Sequence, residues 1–435
     1  MTTELHAIHA DATKDFFVTM ITRDISLRDC IFDLLDNSID GARRLRGNES
    51  SSFEAYEIDL VFDGEQFQIT DNCGGIRLSD AIDYAFHFGR KPGSPSDVKG
   101  GIGLYGIGMK RAIFKIGRKC EVFSEADDAT FKVLVDVDTW KDSPNWDFYY
   151  EDAEPRGHRG TTITINELND GVASMFRDPG FKNELMRDIA RDYAFFIRNG
   201  LLIKVRGEAI PSYRFQLRES SNLSPLVLEY LDDGVRVRIL AGLADELQDE
   251  IPDELRPTKV ERYGWFVICN DRIVLAADKT DRTIWGDDGF QVWHPQYNGF
   301  AGFLFFYSED QSKLPWTTTK RDLDASSPLY RRAISRMKSA TTDFIKYTNE
   351  RKFDLDTAKE AEISSVSRDL ADLTTTQALR LPSPVGTRAD EVLITYRKLR
   401  KEVDEVRRHV GNITLSARDV GKLTFEYYRS AELGK

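Results

Sequence analysis

The chain has 435 residues, of which 41% are hydrophobic and 11% aromatic, and its formal net charge is −12. These values indicate a folded protein of two or three domains and argue against a protein that coats nucleic acid by charge alone. Any DNA contact would have to be local, and the simpler interpretation of the negative charge is an acidic surface that keeps an enzyme in solution.

From the sequence we expect neither export nor membrane insertion. No apolar run approaches the roughly 18 to 20 residues that span a bilayer, and residues 1–6 lack the basic-then-apolar layout of a signal peptide. The four cysteines form no C-x-x-C pair and predict neither a zinc site nor a disulfide framework. We therefore expect a cytoplasmic protein with no membrane partner.

Predicted helices and strands alternate over the first 200 residues. In chain order they are a helix from residue 24 or 26 to 45 or 46, strands at 56–62 and 66–70, a helix at 78–88, a glycine-rich loop at 89–108, a helix at 110–116, strands at 121–124, 130–136 and 161–166, and a helix at 183–199. The turn of the first hairpin falls at Asp63-Gly64, and Gly47 and Gly117 end two of the helices. This alternation predicts a two-layer α/β sandwich over residues 1–200.

A second unit is predicted from residue 201 to 350. Its elements are a hairpin with strands at 265–269 and 273–276, a strand at 301–307 and a helix at 328–347. Residues 353–388 are polar and contain Pro382 and Pro384, so they resemble a partly helical linker. Two closing helices, rich in arginine and lysine, are predicted at 392–410 and 416–430.

Three polar residues of the first predicted helix lie on one face. Asp33, Asn37 and Asp40 fall at positions i, i+4 and i+7, while Ile31 and Leu35 point elsewhere and can pack on a sheet. A polar stripe of this kind is also typical of an ordinary solvated helix face. The stripe alone therefore does not distinguish a binding site from a surface.

Two glycine-containing segments follow this helix. Residues 71–75, Asp-Asn-Cys-Gly-Gly, come directly after a predicted strand, and residues 103–108, Gly-Leu-Tyr-Gly-Ile-Gly, precede a predicted helix. Glycines let a chain fold tightly over an anion, and a helix start presents free N–H groups and the positive end of its dipole. Each segment alone also fits a plain turn or a flexible loop, and neither is a P-loop.

In this order, between residues 33 and 108, the three clusters resemble the ATP site of the GHKL ATPases, the superfamily of gyrase B, Hsp90, MutL, MORC proteins and histidine kinases. The resemblance implies that Asn37 binds Mg²⁺ through its amide oxygen. It also implies that Asp33 stands where the family has the glutamate that activates water. Aspartate is one methylene shorter, so we expect an ATP hydrolase with slow turnover. Asp40, on the same face, is expected among the nucleotide-binding residues.

The same resemblance assigns the remainder of the nucleotide site. Asp71 would accept a hydrogen bond from the adenine amine, with Gly75 and Ile76 beside the base. Thr162, or its neighbour Thr161, would lie near the adenine at the start of a strand. The residues expected around the phosphates are Gly103, Leu104, Tyr105, Gly106, Ile107, Gly108, Met109 and Lys110, with Arg111 adding charge and residues 91–101 forming a lid.

Residues 317–323, Thr-Thr-Thr-Lys-Arg-Asp-Leu, resemble the lysine loop of the transducer domains in gyrase B and MutL. By that match Lys320 reaches the γ-phosphate and stabilises its charge, with Arg321 as the alternative, although an exposed basic turn would look similar. We therefore expect an α+β protein: a Bergerat-type two-layer ATP-binding domain at 1–200, a transducer-like, ribosomal S5-like α/β domain at 201–350, and a linker with C-terminal helices at 351–435. Among GHKL proteins the sequence most resembles the MORC and MutL branch.

The resemblance also implies an ATP-driven switch. In such families ATP makes the N-terminal units pair, often by exchange of the N-terminal segment, here residues 1–23, so the expected partners are ATP, Mg²⁺ and a second copy of the chain. A link to DNA or to a partner protein in a bacterial defence or restriction system rests on this analogy and on the basic C-terminal residues Arg397, Lys398, Arg400 and Lys401. The alternatives are an Hsp90-like chaperone clamp on protein clients and a non-hydrolysing, ATP-occupied interaction module.

Overall fold

The computed structural model describes residues 12–47, 52–89, 99–103, 106–244, 261–287, 289–317, 319–352, 355–382, 394 and 396–434. These residues form two units, each built on its own β-sheet, followed by two C-terminal helices. This mixed α/β organisation is the fold class expected from the sequence.

The first unit contains an eight-stranded sheet. Its elements are α1 (Lys14–Arg23), α2 (Leu27–Arg46), β1 (Glu57–Phe62), β2 (Gln66–Asp71), α3 (Leu78–Asp80) continued by a π-helical turn (Ala81–Ala85), α4 (Gly108–Ile116), β3 (Gly117–Glu125), β4 (Thr130–Asp136), α5 (Val137–Asp142), β5 (Tyr150–Asp152), β6 (Gly160–Leu168), α6 (Asp170–Arg177), α7 (Pro179–Asp192), α8 (Ala194–Arg198), β7 (Leu202–Val205) and β8 (Glu208–Ala209). The strand order is β5-β4-β3-β6-β2-β1-β7-β8, and only β1 and β7 pair in parallel. Buried and half-buried residues alternate along β1 and β2, so one face of the sheet packs on the helices.

Helix α2 is the central helix of the first unit and matches the predicted one. The side chain of Ser26 caps it by accepting a hydrogen bond from the backbone N–H of Asp29, and Gly47 ends it with φ of 67°. Three of its four arginines, Arg43, Arg44 and Arg46, lie in the last turn, where they complement the helix dipole. Because α2 is buried along most of its length, its buried polar residues face other protein groups or a cavity rather than bulk water.

The second unit contains a five-stranded mixed sheet and a separate two-stranded sheet. The elements of this unit are β9 (Gln216–Glu219), β10 (Leu226–Asp232), β11 (Val235–Leu243), β12 (Gly264–Cys269), β13 (Arg272–Asp278), β14 (Phe300–Tyr307), α9 (Pro328–Arg351), α10 (Leu355–Ile363) and β15 (Val366–Asp369). The C-terminal helices are α11 (Arg400–Val410) and α12 (Ala417–Leu433). The strand order of the five-stranded sheet is β10-β11-β14-β12-β13, with β12 parallel to β14, and the two-stranded sheet is formed by β15 and β9. Helix α9 is joined to this sheet by a buried hydrogen bond from the Trp265 indole to the Thr341 hydroxyl, 3.1 Å long.

Several predicted boundaries differ from the structure. The first sheet continues past residue 200 through β7 and β8, because β7 pairs in parallel with β1, which no local pattern announces. The helix predicted at 183–199 is two helices, α7 and α8, separated at Tyr193, whose buried hydroxyl bonds to α2. The helix predicted at 78–88 passes into a π-helical turn that ends at Ala85.

The predicted linker is also largely packed on the second unit. Strand β15 pairs with β9, and the backbones of Gln377 and Arg380 bond to Val227 and Ser224. The first closing helix begins at Arg400 rather than at residue 392. Among the described residues, no helix combines the length and the hydrophobicity needed to cross a bilayer.

Candidate functional site

A cavity of about 230 Å³ lies between α2, β2, the glycine segment and α4, with Lys320 of the second unit at its wall. It brings together most of the residues singled out from the sequence. Those that line it are Asp33, Asn37, Asp40, Asp71, Gly75, Ile76, Gly103, Gly106, Ile107, Gly108, Met109, Lys110, Arg111 and Lys320. Leu104, Tyr105 and most of the predicted lid at 91–101 fall outside the described residues.

Asn37 is the one exposed residue of α2 between Cys30 and Arg43. Its side chain faces the cavity and makes no hydrogen bond within the part of the chain that the structure describes. A free amide oxygen on a rigid helix is a suitable ligand for a hard cation that keeps several of its waters. Asn37 is thus presented to the cavity rather than used in the fold.

Asp33 faces the cavity but is already paired. One of its carboxylate oxygens accepts a hydrogen bond from Arg111 at 2.5 Å, and the other lies 3.7 Å from the Lys320 ammonium nitrogen. Burial raises the pKa of the Asp33 carboxyl, although Lys320 and Arg111 oppose this effect. A raised pKa favours a role as proton acceptor, while the ion pair with Arg111 limits its freedom to act.

Asp40 holds the glycine segment in place. Its two carboxylate oxygens accept hydrogen bonds from the backbone N–H groups of Ile102 and Gly103, at 2.7 and 2.6 Å. Burial raises the pKa of this carboxyl, opposed chiefly by Arg43 and by the two backbone bonds. In this structure Asp40 therefore fixes the conformation of the loop beside the cavity.

Asp71, at the end of β2, is a buried carboxylate with fixed orientation. It accepts hydrogen bonds from the Ser38 hydroxyl at 2.7 Å, from the Cys73 N–H at 2.9 Å and from the Thr161 N–H at 3.2 Å. Burial raises its pKa, and these three bonds oppose the shift. Residue 160 must be glycine, because a Cβ there would lie 1.9 Å from the Asp71 carbonyl oxygen.

The structure places Thr161, rather than Thr162, at this end of the cavity. Thr161 and Ile163 line it, and successive side chains of a strand point to opposite faces, so Thr162 faces away. The prediction of Thr162 as a cavity residue is therefore wrong by one position. The sequence pattern Gly-Thr-Thr offers no means to choose between the two.

The start of α4 faces the cavity with its backbone donors free of a side-chain cap. Ile107, at the cap position, has no capping side chain, and the first turn consists of Gly108, Met109 and Lys110. Gly108 permits a close approach to α2, because a Cβ there would lie 3.0 Å from Cγ of Asp33. An uncapped helix start with adjacent glycines suits a phosphate group.

The ammonium group of Lys110 is hydrogen-bonded to the protein backbone. Its ammonium donates hydrogen bonds to the carbonyl oxygens of Ala85, at 2.7 Å, and Gly106. Burial lowers its pKa to about 7. Lys110 therefore joins the π-helical turn to residues 103–108, and Arg111 forms an ion pair with Asp33. From the sequence we expect these two side chains to offer their positive charge to bound phosphates, but in this structure both already have protein partners.

Lys320 enters the site from the second unit, with φ of 55°. Its ammonium nitrogen lies 3.1 Å from Asp36 and 3.7 Å from Asp33. Asp36 also accepts hydrogen bonds from the hydroxyl of Tyr193 at 2.9 Å and from Arg272 at 3.3 Å. One buried ion cluster thus joins α2, the helical region near Tyr193 and the second unit.

Asn270 is a second junction that the sequence analysis missed. Its side-chain amide donates to the carbonyl oxygens of Gly101 and Ser308, at 3.2 and 3.0 Å, and its backbone carbonyl oxygen accepts from Arg43 at 2.7 Å. One local signal was the turn-like Asn270-Asp271 pair, which has positive φ at both positions. The chain just before residues 103–108 is therefore held between α2 and the second unit.

The donor set fits a magnesium nucleotide. Among the described residues there is no group of three or more acidic, histidine or cysteine side chains that would bind a metal unaided. A cation here would rely on the Asn37 amide oxygen and on oxygens of the bound ligand, which matches the coordination habit of Mg²⁺. Asp71 at one end and the α4 start at the other suit a base and a phosphate chain.

Residues 25–164 match the family described as Histidine kinase-, DNA gyrase B-, and HSP90-like ATPase. The matched segment contains every predicted site residue except Lys320, which lies on the second unit. No curated protein matches the chain. The family match supports ATP binding and ATP hydrolysis at this cavity.

Proposed function

Because residues 25–164 place the chain in the GHKL ATPase superfamily, we propose that it is a Mg²⁺-dependent ATP-driven switch of the MORC/MutL-like branch. The observation that carries this proposal is the exposed Asn37 amide, which none of the described residues hydrogen-bonds, together with the uncapped start of α4 across the cavity. The magnesium ion would neutralise charge on the triphosphate when bound. We further propose that the ATP-binding domain extends through β8, the transducer-like domain covers the second sheet and α9, and the C-terminal region follows.

Each residue has a distinct part in the proposed reaction. Asn37 binds the cation, and the oriented carboxylate of Asp71 accepts a hydrogen bond from the adenine amine. Asp33 takes the proton of the attacking water, while Lys320 stabilises negative charge on the terminal phosphate. Turnover is slow because Asp33 is short and its oxygens are shared with Arg111 and Lys320.

The non-hydrolysing module is the second candidate. It is favoured by one observation, the ion pair between Asp33 and Arg111, which occupies the carboxylate that would activate water. In that case ATP would be a structural ligand that orders the two units. Steady release of phosphate that Asp33→Asn abolishes would reject this candidate.

The proposed clamp pairs two chains when ATP binds. Helix α1 is bonded to its own unit, because the Lys14 ammonium donates to the carbonyl oxygens of Trp140, Ser143 and Asn145. Exchange of residues 1–23 would have to release these bonds. Comparison of the mass in solution with and without a non-hydrolysable ATP analogue tests pairing directly.

The decisive experiment is calorimetry with a non-hydrolysable ATP analogue and Mg²⁺. Asn37→Ala should weaken magnesium-dependent binding by at least about tenfold. Asn166→Ala, at an exposed position on β6, is the matched control and should bind as the wild type does. Folded protein that shows no magnesium-assisted binding, or an Asn37→Ala variant with full affinity, would refute the proposal.

A DNA-linked role is tested separately. Arg397, Lys398, Arg400 and Lys401 are all exposed near the start of α11 and are free to meet phosphates. Duplex DNA should stimulate phosphate release, and replacement of these four residues by glutamine should remove the stimulation while basal turnover stays. Stimulation that persists in the variant would place the DNA contact elsewhere.

A further inference from the structure

A second cavity, of about 350 Å³, lies where the end of α2 meets the second sheet. We call it the junction cleft. Four cationic and two acidic side chains line it: Arg43, Arg46, Lys99, Arg236, Asp271 and Glu309. An excess of positive charge is unusual in a chain whose formal net charge is −12.

Three of these cations already have acidic neighbours. Arg43 lies 3.3 Å from Asp271, and Lys99 lies 3.0 Å from Glu309. Arg236 lies 3.7 Å from Glu229, outside the cleft, and its guanidinium stacks on a tyrosine ring. These pairs account for both carboxylates that line the cleft.

Arg46 makes no ion pair within the described part of the chain. Its guanidinium rests on the ring of Phe53, 4.5 Å from the centroid, and its Nε is buried without a hydrogen bond. Burial lowers the pKa of Arg46 and the neighbouring charge of Arg43 lowers it further, which Asp271 and Tyr56 only partly oppose.

The Nε of Arg43 is likewise buried and has no hydrogen-bond partner among the residues that the structure describes. The terminal nitrogens of Arg43, however, already donate to Gly100, Asn270 and Asp271. Arg46 has no acidic partner in the described residues, so an anion beside Arg46 would offset the cost of burying its charge.

We propose that the junction cleft binds a phosphate group of an anionic ligand, with Arg46 as its main contact and Arg43 and Arg236 as flanking ones. Guanidinium groups suit phosphate because their planar donors match two of its oxygens at once. The phosphate belongs either to a small phosphorylated molecule or to a nucleic-acid backbone.

The cleft adjoins the loop of the nucleotide cavity. Arg43 donates hydrogen bonds to the carbonyl oxygens of Gly100 and Asn270, and Gly100 begins the segment that Asp40 holds at Ile102 and Gly103. A ligand that binds Arg43 therefore affects the hydrogen bonds that hold the same loop. This coupling, unlike the binding itself, rests on the proposed ATP function. If it holds, phosphate in the cleft and ATP in the cavity change each other's affinity by the same factor.

Pyrophosphate titrated into the full-length protein without magnesium tests the site. Arg46→Gln should weaken its binding roughly tenfold or more, and Arg236→Gln, which serves if Arg46→Gln does not fold, should weaken it to a smaller extent. Arg331→Gln removes an exposed arginine of α9 and should have no effect. Binding that survives both cleft variants overturns the proposal.

The two cleft variants separate this site from the nucleotide cavity, because Arg46 and Arg236 do not line that cavity. Both variants should bind the ATP analogue with magnesium as the wild type does while their pyrophosphate affinity falls. Pyrophosphate binding that is unchanged in both variants would assign the anion to the nucleotide cavity and overturn the proposal. A short DNA duplex then identifies the source. Displacement of pyrophosphate by the duplex, dependent on Arg46, indicates a nucleic-acid backbone, and no displacement indicates a small phosphorylated molecule.

Discussion

The ammonium nitrogen of Lys320 lies 3.1 Å from a carboxylate oxygen of Asp36, and both side chains are almost fully buried. The loop of the second unit thus places its cation against the helix that carries Asn37. Burial opposes the charge on Lys320, but Asp36, Asp33 and Asp40 together outweigh it and raise its pKa. The two units therefore share one ion cluster at the wall of the candidate nucleotide site.

Replacement of Lys320 by methionine should affect both stability and turnover. Removal of one partner from a buried ion pair costs about 3 kcal/mol or more, because the remaining charges are left uncompensated. We also expect kcat to fall, while the wild-type affinity for adenine nucleotides is largely retained. Lys313→Met removes a half-exposed lysine near Asp233 and should change the free energy of unfolding by less than about 0.5 kcal/mol. A folded Lys320→Met variant with wild-type kcat would contradict this role.

Asp33 should control hydrolysis rather than binding. Asp33→Asn removes the proton acceptor, so the rate of phosphate release should fall by about a hundredfold or more while the ATP analogue still binds. Asp33→Glu moves the carboxylate toward the position expected for the superfamily and should raise kcat, by up to about a hundredfold. Asp29→Asn, in the first turn of the same helix, is the control. Equal rates of phosphate release in the wild type and in Asp33→Asn would mean that another group activates water.

Asp71 should determine the choice of base. In Asp71→Asn an amide N–H₂ group replaces an oxygen that accepts hydrogen bonds from the protein, and the remaining oxygen no longer offers a full carboxylate to the adenine amine. ATP affinity should fall at least about tenfold, and the preference for ATP over GTP should shrink. Asp63→Asn, at a hairpin turn where the carboxylate also accepts two backbone bonds, should leave both values unchanged. Competition binding with the two nucleotides measures the outcome.

Lys110 should make stability depend on pH above neutrality. Burial lowers its pKa from 10.5 to about 7, so between these values the unfolded chain binds a proton that the folded protein does not. The free energy of unfolding should therefore rise with pH over this window, by about 1 kcal/mol per pH unit. Urea unfolding at pH 7.5 and 9.0 should show this increase in the wild type and in Lys115→Met. Lys110→Met should lack it, and an identical slope in all three proteins would count against the shift.

Local patterns predicted the elements that carry the nucleotide site. Ser26 and Gly47 bound helix α2, the spacing of Asp33, Asn37 and Asp40 put them on one side of it, and hairpin and glycine signals located the segments around Asp71 and Gly108. These features depend on residues a few positions apart, since capping, helical periodicity and turn conformation are short-range properties. The resemblance drawn from them led to the same superfamily as the family match.

Contacts between distant parts of the chain could not be read in this way. Arg272 and Asp36 are separated by 236 residues, and a buried arginine in a strand does not reveal which carboxylate it will meet. The same holds for the pairing of Asn270 with Gly101 and of Arg111 with Asp33. Such contacts arise only when distant elements of the chain pack together, because a charged side chain specifies the kind of partner it needs but not where along the chain that partner lies. The sequence alone indicated which face of α2 lines the candidate site, and the packing of the second unit against α2 added Lys320 to that site.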